Sequence, residues 1–141
     1  MKFEILDISG DAGIRAYGNS CEDAFANAGI GMYSLITDLD KIEERQDIEI
    51  EAKGDSPEGL LVAYLNELIF RFDTYGFVGK RIEMELFGLQ PSTYYIKAKV
   101  RGEEFDPGRH EGRLLVKAAT YHNIRVEKIS DKCEVEVIFD I

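Results

Sequence analysis

The chain has 141 residues, enough for one domain and too few for two. Hydrophobic residues make up 45% and charged residues 31%, so a core can form and pervasive disorder is excluded. Asp and Glu number 27 against 17 Lys and Arg, a net charge of −10 that argues against a dominant nucleic-acid-binding surface while leaving room for a small basic patch.

In chain order, residues 2–8 alternate in part and predict a first strand. Ser9 to Gly13 is a turn of small residues, and Ile14 to Gly18 a second short strand. Asn19 or Ser20 caps a helix, with Asp23 standing where a capping box has Glu. Ala24, Phe25, Ala28, Met32, Leu35 and Ile36 give that helix one apolar face, ending near Thr37. Ile48 to Ala52 alternates strictly as a half-buried strand. Ser56-Pro57-Glu58 starts a second helix, which runs to about Tyr75 and stops at Gly76. Further strands are predicted at Arg81–Leu89, Thr93–Val100, Leu114–Thr120, Ile124–Ile129 and Cys133–Ile141, with a loop over Gly102–Arg113. The fold class is therefore α+β: two amphipathic helices on a largely antiparallel sheet in one domain, 1–141. The late strands have no helices between them, as a doubly wound parallel sheet would require.

No run approaches the ~18 apolar residues of a membrane span. The acidic start lacks the apolar core of a signal peptide. Cys21 and Cys133 form no Cys-x-x-Cys pair, so structural thiols are expected, with a disulfide between them as the alternative. These features predict a cytoplasmic protein.

Three constellations could carry chemistry. Asp11 sits in a glycine-flanked turn, and Asp140 and Ile141 end the chain with two carboxyl groups close together. Converging acids repel unless a proton or a hard cation lies between them, and an oxygen-only set suits Ca²⁺, Mg²⁺ or Mn²⁺. The alternative is an Asp11 that only organises its turn and a solvated chain end. The run Glu103 to Glu111 places acids, Arg109 and His110 on a loop, where His110 reads more readily as a surface residue than as a base. No Ser-His-Asp or Cys-His arrangement and no phosphate-binding glycine motif is legible, so no catalytic residues are assigned and the chain is expected not to be an enzyme. Lys97, Lys99 and Arg101 share a strand face, either a solvated surface or a site for RNA, nucleotide or an acidic partner. The acids from Asp38 to Glu51 either keep the surface soluble or face a basic partner.

Several segments together resemble the archease family. They are Leu6-Asp7-Ile8-Ser9-Gly10-Asp11-Ala12-Gly13-Ile14 with Tyr17-Gly18, Leu65 to Ile69 with Phe72-Asp73-Thr74, Phe105 to Glu111 followed by Val116 to His122, and the ending Val137 to Ile141. The resemblance is collinear and spans nearly the whole chain. It implies a small cofactor-like protein that activates the RNA ligase joining tRNA exons, promoting ligase guanylylation and multiple turnover. It also implies, as an alternative, a chaperone or specificity modulator of a tRNA methyltransferase. Direct RNA contact is left open, and no membrane association is expected. The family's divalent-cation site maps by this resemblance onto Asp11, Asp140 and Ile141, and its late motifs make Lys117 and His110 candidates for partner contact. Two departures stand out. Ile8 and Ser9 replace the family's His and Thr, and Gly108 replaces a Glu in the late motif.

Overall fold

A computed structural model describes residues 2–141. Strands β1 (Phe3–Ile8) and β2 (Asp11–Gly18) form an antiparallel hairpin in register Ile8 to Asp11. Its turn passes through Gly10 at φ +80°, a left-handed conformation that glycine adopts without steric cost. Helix α1 (Cys21–Ile36) starts at Ser20, whose Oγ accepts the Asp23 N–H at 3.1 Å. A 3₁₀ turn (Leu39–Lys41) leads to β3 (Gln46–Lys53). Helix α2 (Pro57–Tyr75) is capped by Ser56, opens on proline and closes at Gly76 with φ +71°. Then follow β4 (Phe77–Gly88), β5 (Tyr95–Glu104), β6 (Ala118–Ala119), β7 (Arg125–Ile129) and β8 (Lys132–Asp140).

The eight strands form two antiparallel sheets, a division that alternation alone does not reveal. One runs β1-β2-β8-β6 with β7 also paired to β8, and the other runs β3-β5-β4. Each helix touches both sheets. Helix α1 lays Phe25, Ala28 and Met32 against the core, and α2 adds Leu60, Leu61, Leu65 and Leu68, all fully buried. Each of these Phe, Met and Leu side chains contributes roughly 1.5–3 kcal/mol relative to exposure. Ile14 and Ala16 from β2, with Val135, Val137 and Phe139 from β8, complete the contact from the larger sheet.

The structure corrects several expectations. Of Leu114–Thr120 only Ala118 and Ala119 pair as strand. The preceding residues are tied elsewhere, with the Arg113 and Leu114 N–H groups donating to Ile36 and Leu35 at the end of α1. Gly102, Glu103 and Glu104 continue β5 rather than opening a loop, because they pair with Gly79, Val78 and Phe77 of β4. Strand β4 begins directly after Gly76. The two cysteines are bonded, Cys21 to Cys133, with Cα atoms 4.9 Å apart. The β2–β8 pairing and the helix cap bring together residues that are 112 positions apart in sequence, a contact that motif spacing does not carry.

Strand β5, the basic strand, lies between β3 and β4. Lys97 pairs with Glu49 at 3.2 Å, and Arg101 with Glu83 at 3.2 Å and Asp47 at 3.7 Å. The register thus sets the acids of β3 against the bases of β5.

Candidate functional site

The candidate carboxylates are brought to one end of the larger sheet. Ala12 pairs with Phe139, so one step further the register sets Asp11 beside Asp140 on adjacent strands. Ala12 and Phe139 point into the core, and their neighbours Asp11 and Asp140 therefore share the outward face. The same row extends both ways: Ile8 on β1 pairs with Asp11, and Ala118 on β6 pairs with Asp140. The Lys117 N–H donates to the Asp140 carbonyl at 2.8 Å, which brings the Lys117 main chain alongside. Lys117, Asp140 and Ile141 are exposed, and Asp11 is half-buried.

Charge pairing stops short of this row. Arg15 joins Glu4 at 3.0 Å and Glu136 at 2.8 Å, and Arg125 joins Glu134 and Glu136. None of these pairs, among the described residues, reaches Asp11 or Asp140. Among the described residues no group of three or more His, Cys, Asp or Glu side chains converges. Asp11 and Asp140 offer hard carboxylate oxygens, the donor type that Ca²⁺, Mg²⁺ and Mn²⁺ take.

Asn66 of α2 holds the strap carrying Lys117, a role the sequence reading missed. Its Oδ1 accepts the Ala119 N–H at 2.8 Å, and its Nδ2 donates to the Ala119 carbonyl at 3.4 Å. Asn66 stands within one of the resembling motifs, yet its role is legible only once β6 is seen to lie over α2.

His110 is placed in the cluster around Glu103 and Arg109 and is buried. Its side chain is wholly enclosed; Nδ1 accepts the Asp106 N–H at 2.8 Å, and Nε2 lies 3.4 Å from Glu103 Oε2. Glu103, only 4% exposed, also accepts the Glu43 N–H at 2.6 Å and pairs with Arg109. Burial pushes the Glu103 carboxyl up, but the Glu43 N–H, the Arg109 guanidinium and His110 outweigh it and hold it below the usual range. Asp106 is held low chiefly by the Gly108 N–H and is then aided by Arg109. The loop motif is therefore an internal brace joining β5 to the segment before β3.

The archease protein family model matches residues 3–141. The chain belongs to the archease family. It is 36% identical over 130 residues to the archease of Pyrococcus abyssi, covering 92% of this chain and 91% of that one. It is likewise 36% identical to an archease-like protein of Caenorhabditis briggsae, covering 99% and 90%. The solution structure of Methanobacterium thermoautotrophicum protein 1598 superposes with a TM-score of 0.80 at 29% identity, covering 99% of each chain. A Thermotoga maritima protein described as an archease and possible chaperone shares the fold, with a TM-score of 0.60 at 19% identity over 98% of this chain and 96% of that one. Among the described residues of this archease, no helix is long and apolar enough to cross a membrane.

Proposed function

We propose that this archease is a non-catalytic, cation-binding activator of a tRNA-splicing RNA ligase, promoting ligase guanylylation and multiple turnover. The observation that carries the reading is the strand register setting Asp11 beside Asp140 on one face. Two like charges held at adjacent strand ends favour a cation between them. Asp11, Asp140 and Ile141 would hold Ca²⁺, Mg²⁺ or Mn²⁺, with Ile141 offering a main-chain oxygen. A bound dication would supply positive charge that offsets phosphate charge. Lys117, exposed beside the carboxylates, adds a second positive group for an anionic partner surface. His110 contributes from the inside, by holding its loop.

The test adds this protein to a purified RNA ligase with GTP and Mn²⁺ and follows ligase guanylylation. Wild type should accelerate labelling, and Asp11→Asn should abolish most of the gain. Equal rates for the two proteins would remove the cation from the reading. A chaperone acting on a tRNA methyltransferase is the second reading, favoured by the description of the Thermotoga maritima protein. It predicts suppressed methyltransferase aggregation that survives Asp140→Ala.

A further inference from the structure

We propose that Cys21 and Cys133 form a reversible redox site, opened and re-closed in the folded protein by thiol–disulfide exchange that enters at Cys21. The inference does not rest on the cation reading.

The fold presets the pair. Gly18 ends β2 opposite Cys133, and the chain then turns back through Asn19 and Ser20 into α1. A side chain at Gly18 would collide with the Ala24 backbone, so this turn is packed tightly and returns Cys21 to the start of β8. The Ser20 cap fixes the first turn of the helix. Both positions are held by backbone hydrogen bonds in addition to the bond between the sulfurs. Reduced thiols would stay neighbours and re-form the bond readily.

Access is one-sided. Cys21 lines an open depression of about 340 Å³ with Phe87, Leu89, Lys128 and Lys132. Cys21 is itself 7% exposed, whereas Cys133 does not line the depression and is 2% exposed. An external dithiol therefore attacks Cys21 Sγ. The Cys21–Cys133 bond breaks, its electron pair passes to Cys133 Sγ, and that sulfur takes a proton from water. The reductant's second thiolate then attacks its own sulfur in the mixed disulfide and releases Cys21 as a thiolate, which is protonated in turn. The reductant leaves as a cyclic disulfide, and the protein has gained two electrons and two protons. The remaining core of two helices and two sheets is large enough for a chain of this size to stay folded without the cross-link.

The experiment treats air-purified protein with dithiothreitol in native buffer, counts thiols and measures Tm. Thiols should rise from none to two without denaturant. Iodoacetamide should label Cys21 before Cys133, and Tm should fall by roughly 10–15 °C, as expected for opening a long loop in a chain of this size. Oxidised glutathione should restore the starting Tm. The Cys21→Ser variant should melt with the reduced wild type and ignore dithiothreitol. Thiols that appear only in denaturant, faster labelling of Cys133, or a Cys21→Ser variant melting with the oxidised wild type would each overturn the proposal.

Discussion

Two rows of the larger sheet handle charge in opposite ways. In the middle row Glu4, Arg15, Glu136 and Arg125 alternate in sign across four strands, and Tyr17 donates to Glu4 at 2.6 Å. Four residue pairs along the ladder, the row Ile8, Asp11, Asp140 and Ala118 holds two acids and no base. The middle row is satisfied from within: the hydrogen bonds that Arg15 donates to Glu136 and Glu4 push its guanidinium up, and the Tyr17 hydroxyl holds Glu4 low. In the end row no ion pair among the described residues meets Asp11 or Asp140, and under the proposed function a cation meets that charge.

The largest effect separating the rows is expected at Asp11. Asp11→Asn keeps the shape and removes one charged donor, so cation affinity by calorimetry should fall at least about 100-fold, near 2.7 kcal/mol, while Tm without added metal stays close to wild type. An unchanged affinity would place the ion elsewhere.

Glu103 comes next, because it is a carboxylate satisfied from within, like Glu4 but buried. Glu103→Gln keeps an acceptor for the Glu43 N–H and removes the charge facing Arg109, which is 42% exposed and so partly compensated by water. A loss of about 1–2 kcal/mol in urea unfolding is expected. The sign with pH follows from the depressed folded pKa. The stabilisation is present above the ordinary value of 4.5 and is lost as pH falls through the lower folded value. Wild type should therefore lose stability below about pH 4.5 more steeply than Glu103→Gln. Parallel acid limbs would show that the charge contributes nothing.

Arg15 tests the middle row directly. Its pairs are partly solvated, so Arg15→Gln should lower Tm by no more than about 3 °C and leave cation affinity unaltered. A loss of binding in this variant would mean the rows are coupled and the contrast between them is false.

The differing legibility of these features has physical causes. The helices were readable because their stops and starts are local: Ser20, Ser56-Pro57 and Gly76 act on their own backbone. Period two revealed most strands, since one face of β8 is buried throughout. What stayed hidden depends on partners remote in sequence. Leu114 to Lys117 alternates like a strand, but the carbonyls of α1 claim its first N–H groups. His110 resembles a surface histidine until Glu103 is seen to be buried against it. The cysteines sit in unremarkable local sequences and meet only through the β2–β8 register. Of the candidate carboxylates, the residues themselves were visible in the sequence, but their shared face required the pairing.

Ile8 offers the smallest and most discriminating test of the end row. It is Asp11's direct partner on β1 and stands where the family resemblance places a histidine. Directly paired residues of an antiparallel ladder lie close on one face, so Ile8→His would set an imidazole next to the carboxylate pair. Imidazole suits Mn²⁺ better than Ca²⁺, which prefers an all-oxygen shell. The variant should therefore bind Mn²⁺ severalfold more tightly while Ca²⁺ affinity barely moves. The gain should fade below about pH 6.5 as the imidazole takes a proton and ceases to be a ligand. The acidic fade also separates ligation from packing, because a merely altered apolar contact at position 8 would carry no such pH dependence. An equal change for both ions would mean that the cation does not sit within reach of β1. The row would then be closed on that side by the Ile8 side chain, leaving β8 and the strap before β6 to frame the site.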